Sequence, residues 1–129
     1  MTDTIQQRVK AAVEAALDKK AFELDVLSVS KLTSIADYFV LCSGSNERQT
    51  KAIADAIEDR LREEHETRPL FIEGTNSGRW ILMDYGDFII HVFTDECRRF
   101  YSLERLWGDA PNSTAEFVPQ AERERQSGR

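Results

Sequence analysis

The sequence predicts one α/β or α+β domain, built on a mixed sheet of about five strands with helices chiefly on one face. Two stretches carry apolar residues at helical spacing, and several shorter runs are rich in β-branched and aromatic residues. Gly86-Asp87 separates two of those runs as a two-residue turn would. A chain of 129 residues is also long enough to bury one hydrophobic core without disulfides or metals.

The first helix is predicted over residues 4–19. Ile5, Val9 and Val13 recur every four residues there, and this spacing places them on one face of a helix. Residues 22–30 follow with a β-prone composition and are predicted as a strand. The chain therefore opens as a packing helix followed by the first strand of the sheet.

A second strand is predicted over residues 38–43, apolar enough to be buried on both faces. Gly44 ends it, and a second helix opens at Ser45 or Asn46. With Asn46 as N-cap, Gln49 falls three residues later, at the spacing of a capping box. The inward stripe of this helix is Ile53, Ile57 and Leu61, and its charged side is predicted to be solvated.

After a short strand near residues 70–72, the stretch from Trp80 to Phe93 predicts a β-hairpin around Gly86-Asp87. Glycine suits the first position of a type II′ turn because it takes positive φ without a steric penalty. Side chains alternate along each strand, so a two-residue loop sorts them into two faces. One face is apolar, with Ile81, Met83, Tyr85, Phe88, Ile90 and Val92. The other is mixed, with Trp80, Leu82, Asp84, Ile89, His91 and Phe93.

The mixed face of the hairpin has two interpretations. It is either a structural face, covered by helices or partly solvated, or a docking face where aromatic side chains anchor a partner. The pattern of residue types leaves both open.

A short helix is predicted after the hairpin. Thr94 or Asp95 could cap it, and Phe100 and Trp107 recur within it at helical spacing. Gly108 to Pro111 ends this helix. The folded domain is therefore expected over residues 1–110, and residues 111–129 form a polar tail expected to be disordered, although Phe117 and Val118 could dock locally.

The composition restricts the classes of partner and compartment. The formal net charge is −6, with no cluster of Lys and Arg, which argues against broad phosphate-driven binding of nucleic acid and favours a basic protein partner. No apolar run approaches the roughly 20 residues that span a bilayer, and the first residues do not resemble a signal or transit peptide. We therefore expect a cytoplasmic protein.

Cys42 and Cys97 are the two cysteines of the chain. Cys42 lies in an apolar strand run, where a buried reduced thiol is the simplest interpretation. Neither cysteine forms a Cys-x-x-Cys motif or a Cys/His pair at metal spacing. No metal site, thiol catalysis or cofactor is therefore predicted.

Several linked motifs resemble the ribosomal silencing factor family, also called Iojap-like. They are Asp84-Tyr85-Gly86-Asp87, His91 and the run from Arg99 to Trp107, preceded in the family order by Ala36-Asp37-Tyr38-Phe39, Ser43-Gly44-Ser45 and Glu73-Gly74. The likeness covers about residues 5–110. Motifs that occur together in order are far more specific than any one of them.

The resemblance implies a fold and a function. Its fold would be of an αβα, nucleotidyltransferase-like type without the catalytic carboxylates. Members of the family bind the large ribosomal subunit through large-subunit ribosomal protein fourteen, hinder subunit joining and lower translation when nutrients are scarce. No catalysis is required. Dimers are also plausible in this family, so a homodimer is a further expectation.

The resemblance and the mixed face together predict a protein-binding set of eight residues. Trp80 would be the apolar anchor, Asp84 and Glu104 the acidic partners for basic side chains, and Tyr101 an amphipathic contact. The full set is Trp80, Asp84, Tyr85, His91, Arg98, Arg99, Tyr101 and Glu104. Packing of the short helix onto the hairpin is an alternative role for Tyr85, Phe100 and Trp107.

Two other functions stay open at this point. A nucleotide-binding, nucleotidyltransferase-like enzyme would use the Gly44-Ser45 helix start, because backbone N–H groups at a helix N-terminus can hold a phosphate. Asp84 and Asp87 straddle Gly86, however, and this arrangement does not suit a two-metal site. A generic homodimeric interaction module is the other alternative, because an aromatic hairpin face could pair with itself.

Overall fold

The computed structural model describes residues 4–101, 110–120 and 122. Helix α1 (Ile5–Asp18) is followed by strands β1 (Phe22–Ser28) and β2 (Tyr38–Gly44). Helix α2 (Glu47–His65) leads to β3 (Phe71–Glu73), β4 (Trp80–Asp84) and β5 (Phe88–Thr94). Helix α3 (Asp95–Tyr101) follows β5, and the described C-terminal segment contains a short helix, α4 (Thr114–Phe117). The order of elements up to α3 is the predicted one.

The five strands form one mixed sheet in the order β1-β2-β5-β4-β3. β2 and β5 run parallel at its centre, and the other neighbouring pairs are antiparallel. The chain leaves β2 through α2, builds β3 and β4 on the far side, and returns as β5. The predicted mixed sheet of about five strands is confirmed, with β1 and β3 at its edges.

The hairpin of β4 and β5 has the predicted register. Trp80 pairs with Phe93, and Asp84 pairs with Ile89. Gly86 takes a φ of 87°, which is the positive value that the turn needs. The Tyr85 N–H donates to the carbonyl of Phe88 at 3.0 Å and closes the loop. The alternation of side chains then divides the hairpin between two faces of the sheet.

Helices α1 and α2 pack side by side on the apolar face of the sheet. Val9 and Val13 of α1 and Ile53 and Ile57 of α2 are fully buried there, together with Met83 of β4. The helical spacing in the sequence had placed the four helix residues on inward stripes, and strand alternation had placed Met83 on the apolar face of the hairpin. The prediction that helices lie chiefly on one face is therefore confirmed for the two long helices.

The start of α2 is held by side-chain caps. The Asn46 side chain accepts a hydrogen bond from the Gln49 N–H at 2.9 Å, as predicted. The Gln49 side chain does not complete a box on Asn46. It accepts instead from the Ser45 N–H at 2.6 Å and donates to the carbonyl groups of Lys19 and Lys20, both at 3.1 Å. Gln49 therefore ties the start of α2 to the end of α1.

The second face of the sheet carries a smaller core. Phe39 and Leu41 of β2 and Ile89 and Phe93 of β5 are buried there, and Cys97 of α3 packs against them. The two strands that supply these four residues, β2 and β5, are also the strands that contact α3. Trp80 and Leu82 of β4 pack against this core and are only partly buried.

The segment after residue 110 packs along β1. The Ser28 N–H donates to the carbonyl of Pro111 at 2.9 Å, and the Ser113 N–H donates to the carbonyl of Val26 at 2.7 Å. Phe117 is 5% exposed and belongs to the core on the α1 and α2 face. This packing agrees with the expectation that Phe117 and Val118 could dock locally, because apolar burial and strand hydrogen bonds hold the segment. The disorder expected for the rest of residues 111–129 stays a prediction. Most of the tail beyond this segment lies outside the described residues.

Within the part of the chain that the structure describes, no helix combines the length and the apolar character needed to cross a bilayer.

Candidate functional site

The mixed face of the hairpin is half covered. Its β5 half is buried, with His91 at 9% exposure and Phe93 at 0%. Its β4 half, formed by Trp80, Leu82 and Asp84, is only partly buried. The β5 half is therefore a structural core, and the β4 half reaches the surface, where the docking interpretation stays a prediction.

Strand β3 extends the β4 half into a larger surface. Phe71 pairs with Asp84 and Glu73 pairs with Leu82, so these two β3 residues lie on the same face as their partners. Phe71 and Glu73 are both exposed. We call the set of five the β3–β4 surface: Phe71, Glu73, Trp80, Leu82 and Asp84.

Trp80 connects the β3–β4 surface to the buried half of the face. Its indole Nε1–H donates to Nδ1 of His91 at 3.2 Å, and its ring lies against the Phe93 ring with centroids 5.2 Å apart. Burial lowers the pKa of His91 from its ordinary value of 6.5 to about 4. His91 is therefore neutral near pH 7, and it serves as a hydrogen-bond acceptor under the indole.

Asp84 lies at the turn end of the β3–β4 surface. One of its carboxylate oxygens, Oδ1, accepts from the Gly86 N–H at 2.8 Å and so supports the turn. Across the turn, Asp87 pairs instead with Arg8 of α1 at 3.2 Å. The two carboxylates that flank Gly86 therefore serve separate contacts.

Tyr85 lies within the apolar core on the face opposite the β3–β4 surface. It is 6% exposed and stacks on Phe88, with ring centroids 5.0 Å apart and an angle of 12° between the rings. Burial raises the pKa of the Tyr85 hydroxyl, and the nearby Glu58 carboxylate adds to the effect. This location favours the alternative role of Tyr85 in packing, because a buried side chain offers no surface to a partner.

Arg98 of α3 is 3% exposed, and its side chain contacts β1 and β2. Its guanidinium contacts the Asp25 carboxylate at 2.9 Å and the Ser43 hydroxyl at 3.0 Å, and it also donates to the carbonyl of Glu23. Burial raises the pKa of the neighbouring Cys42 thiol to about 12, with Arg98 acting in the opposite direction. In the isolated chain, the buried Arg98 therefore has a structural role, because it connects α3 to β1 and β2.

The remaining predicted residues lie on α3 or beyond it. Arg99 is exposed and pairs with Asp95 at 2.5 Å along the helix. Tyr101 ends α3, and its side chain is outside the described part of the structure. Glu104 and Trp107 also lie outside the described residues. The contact roles of Arg99, Tyr101 and Glu104 stay predictions.

Metal-ligating side chains do not cluster in the described part of the structure. No group of three or more His, Cys, Asp or Glu side chains at metal-binding distance occurs there. Cys97 is partly buried, and desolvation raises the pKa of its thiol. The Gly44-Ser45 turn is occupied by helix capping, because the Ser45 N–H already donates to the Gln49 side chain.

A cleft of about 570 Å³ opens where β2 and β5 end. Ser45, Glu47 and Arg79 line one part of it, and Trp80 and Phe100 are among its aromatic residues. The lining carries charged groups of both signs, so its electrostatics do not select one class of ligand. The cleft borders the β3–β4 surface at Trp80.

Sequence reasoning missed Phe71, Leu82 and Glu73 as members of the surface. Leu82 had been assigned to the mixed face, but not to the contact set. Phe71 and Glu73 alternate with Ile72 as a strand requires, and that alternation was the available signal. The partner strand of β3 was unknown, so the alternation alone did not say which face of the sheet they would join.

Comparisons with known proteins point to the same family over most of the chain. A family model described as "Ribosomal silencing factor during starvation" (RsfS) matches residues 2–129. The ribosomal silencing factor RsfS of Halalkalibacterium halodurans is 39% identical over 113 residues, which cover 88% of this chain and 96% of that protein. The RsfS protein of Bacillus subtilis is 38% identical over 109 residues, with 84% and 92% covered. The chloroplastic protein Iojap of Zea mays is 30% identical over 99 residues, with 75% and 42% covered.

Two solved structures share the fold. A crystal structure of a Chromobacterium violaceum protein has a TM-score of 0.79 and 37% sequence identity, covering 82% of this chain and 88% of that one. A crystal structure from Bacillus halodurans has a TM-score of 0.72 and 35% identity, covering 79% and 94%. The architecture described above is therefore shared with solved structures of similar sequence.

Proposed function

This chain belongs to the ribosomal silencing factor family, and we propose that it silences ribosomes by binding large-subunit ribosomal protein fourteen through its β3–β4 surface. Binding at the side of the large subunit that meets the small subunit would hinder subunit joining. Translation would fall when nutrients are scarce. The mechanism is steric: it makes and breaks no covalent bond and requires no cofactor.

The observation that carries this proposal is the chemistry of the β3–β4 surface. An exposed aromatic side chain, Phe71, lies opposite Asp84 and on the same face of the sheet as the partly exposed Trp80 and Leu82. Aromatic side chains concentrate binding energy where a partner excludes water. Glu73 and Asp84 add negative charge to the same face, on a chain whose formal net charge is −6. This combination suits a basic protein with an apolar patch.

The contact set that we propose differs from the set predicted from sequence. Trp80 and Asp84 stay in it, and Phe71, Glu73 and Leu82 join them from the same face. Tyr85 and Arg98 leave it because both are buried in the isolated chain. Arg99, Tyr101 and Glu104 stay candidates for a second region of contact after β5, and His91 is buried beside Trp80.

Truncation of Trp80 tests this proposal. Trp80→Ala should weaken co-sedimentation with purified large subunits by at least about tenfold, because buried aromatic anchors in protein interfaces contribute about 2 kcal/mol or more. Ile35→Ala is the matched control, because it removes an exposed apolar side chain, 65% accessible, from a loop outside the surface. Circular dichroism of both variants checks that the fold is retained.

Equal binding by the wild type and a folded Trp80→Ala variant would remove Trp80 from the interface. Binding of wild type to large subunits but not to isolated ribosomal protein fourteen would keep the silencing mechanism and overturn the choice of partner. A subunit-joining assay completes the test: excess protein should reduce formation of joined ribosomes, and the Trp80→Ala variant should not.

The same surface offers a self-association site, since Phe71 lies on an edge strand of the sheet. We propose that a homodimer, if it forms, uses the β3–β4 surface and so competes with ribosome binding. Light scattering over a range of protein concentrations, with and without large subunits, measures this competition. Dimers that persist on the subunit would show that the two surfaces are separate.

A further inference from the structure

His91 and Trp80 form a donor–acceptor pair whose direction is fixed by chemistry. The indole Nε1 of Trp80 lies 3.2 Å from Nδ1 of His91. Tryptophan has a donor and no acceptor, so Nδ1 of His91 must carry a free lone pair. The ring proton of the neutral histidine is then on Nε2. The hydrogen bond therefore selects one tautomer of His91.

The His91 ring is held firmly by the buried half of the mixed face. It lies edge-on to Phe39, with ring centroids 5.3 Å apart, and nearly parallel to Phe93, with centroids 5.9 Å apart and an interplanar angle of 5°. His91 itself is 9% exposed. An acceptor held between two aromatic rings fixes the direction of the indole N–H that points to it. The hydrogen bond to the buried His91 therefore orients the ring of the partly exposed Trp80.

The histidine leaves its second ring nitrogen unpaired. Its Nε2 atom is buried and has no hydrogen-bond partner in the described residues. A buried donor without an acceptor lowers stability, whereas an apolar side chain of similar size would avoid this loss. Leucine at position 91 would continue the apolar surroundings of Phe39, Leu41 and Phe93. The hydrogen bond that His91 does make in the described residues is therefore the one that it accepts from Trp80.

We propose that His91 is a positioning residue for the docking anchor: by accepting the indole N–H of Trp80, it holds that ring in the orientation that the large-subunit protein binds. His91 does not touch the partner. This inference rests on the proposed function, because it assigns His91 a role that acts through the β3–β4 surface. It replaces the direct contact role that the sequence predicted for His91.

The test uses a double-mutant cycle on the full chain. His91→Leu removes the acceptor, His91→Gln keeps an acceptor on a side chain of different shape, and Trp80→Phe removes the donor. Affinity for purified large subunits is measured for each variant and for the double variant His91→Leu/Trp80→Phe. Glu63→Gln, an exposed change on α2, is the control. Urea denaturation at neutral pH is measured in parallel for all of them.

His91→Leu should weaken subunit binding about fivefold to tenfold, as expected when a hydrogen bond that orients an anchor is lost. Its urea midpoint should equal or exceed that of wild type. His91→Gln should recover part of the binding. In the Trp80→Phe background, His91→Leu should change binding by less than about twofold, because residues that act through one contact are not additive.

Several outcomes would overturn the inference. Unchanged binding of a folded His91→Leu variant would do so, and so would additive losses in the double variant. Nitrogen-15 spectra of the wild type decide the point even if a variant does not fold, since a proton found on Nδ1 of His91 contradicts the assignment. Failure of the proposed function itself is distinguishable, because the wild type would then not bind large subunits at all.

Discussion

Lowering the pH should destabilise this protein through His91. Burial lowers the pKa of His91 from 6.5 to about 4, so the folded state resists a proton that the unfolded state accepts. The contribution of His91 to the free energy of unfolding is complete above about pH 6.5. It decreases as the pH drops towards 4 and does not change further below that pH. The full difference corresponds to about 3 kcal/mol, and about 2 kcal/mol of it is lost between about pH 7 and pH 4.5.

Urea denaturation at about pH 7 and about pH 4.5 measures this effect. Carboxylates also titrate in this range. The relevant quantity is therefore the loss in wild type minus the loss in His91→Leu, because the contributions of the carboxylates largely cancel in that difference. The wild type should lose about 2 kcal/mol more than the variant. Ile35→Ala, which removes an exposed apolar side chain, is the control, and it should lose as much as wild type. Equal losses in wild type and His91→Leu would refute the assignment of a buried, neutral His91.

Three further predictions concern the fold and its surface. Arg98→Ala should lower the free energy of unfolding in urea by about 3 kcal/mol, because it leaves buried hydrogen-bonding groups without their guanidinium partner. Gly74→Ala should lower the thermal midpoint far more than Gly86→Ala. Both glycines have a φ of 87°, but an added Cβ would lie 2.0 Å from a β4 carbonyl oxygen at Gly74 and 3.6 Å from the nearest atom at Gly86. Glu73→Lys should weaken large-subunit binding several-fold, measured by co-sedimentation, whereas the same charge reversal at Asp55 on α2 should not.

The local features of the fold were predictable from sequence because they depend on neighbouring residues. Gly86-Asp87 and the alternation around it fixed the hairpin register, which the pairing of Trp80 with Phe93 confirms. The spacing of Ile53 and Ile57 likewise identified the buried side of α2. Short-range periodicity carries this information because a strand or helix sorts its own side chains.

Features that depend on distant parts of the chain were not predictable in this way. Arg98 pairs with Asp25, 73 positions earlier, and no local pattern indicates such a partner. The pairing of β3 with β4 decided that Phe71 lies beside Asp84, and the strand order was unknown. Phe117 was recognised as able to dock, but the depth of its burial depended on β1 and α1.

The most direct measurement of the central claim is site-specific photo-crosslinking from the β3–β4 surface. A photoreactive phenylalanine analogue is placed at position 71, and the protein is mixed with purified large subunits and irradiated. The analogue at position 35 is the control. Our account predicts crosslinks from position 71 to large-subunit ribosomal protein fourteen and none from position 35. Crosslinks from position 35 to the subunit, with none from position 71, would contradict it.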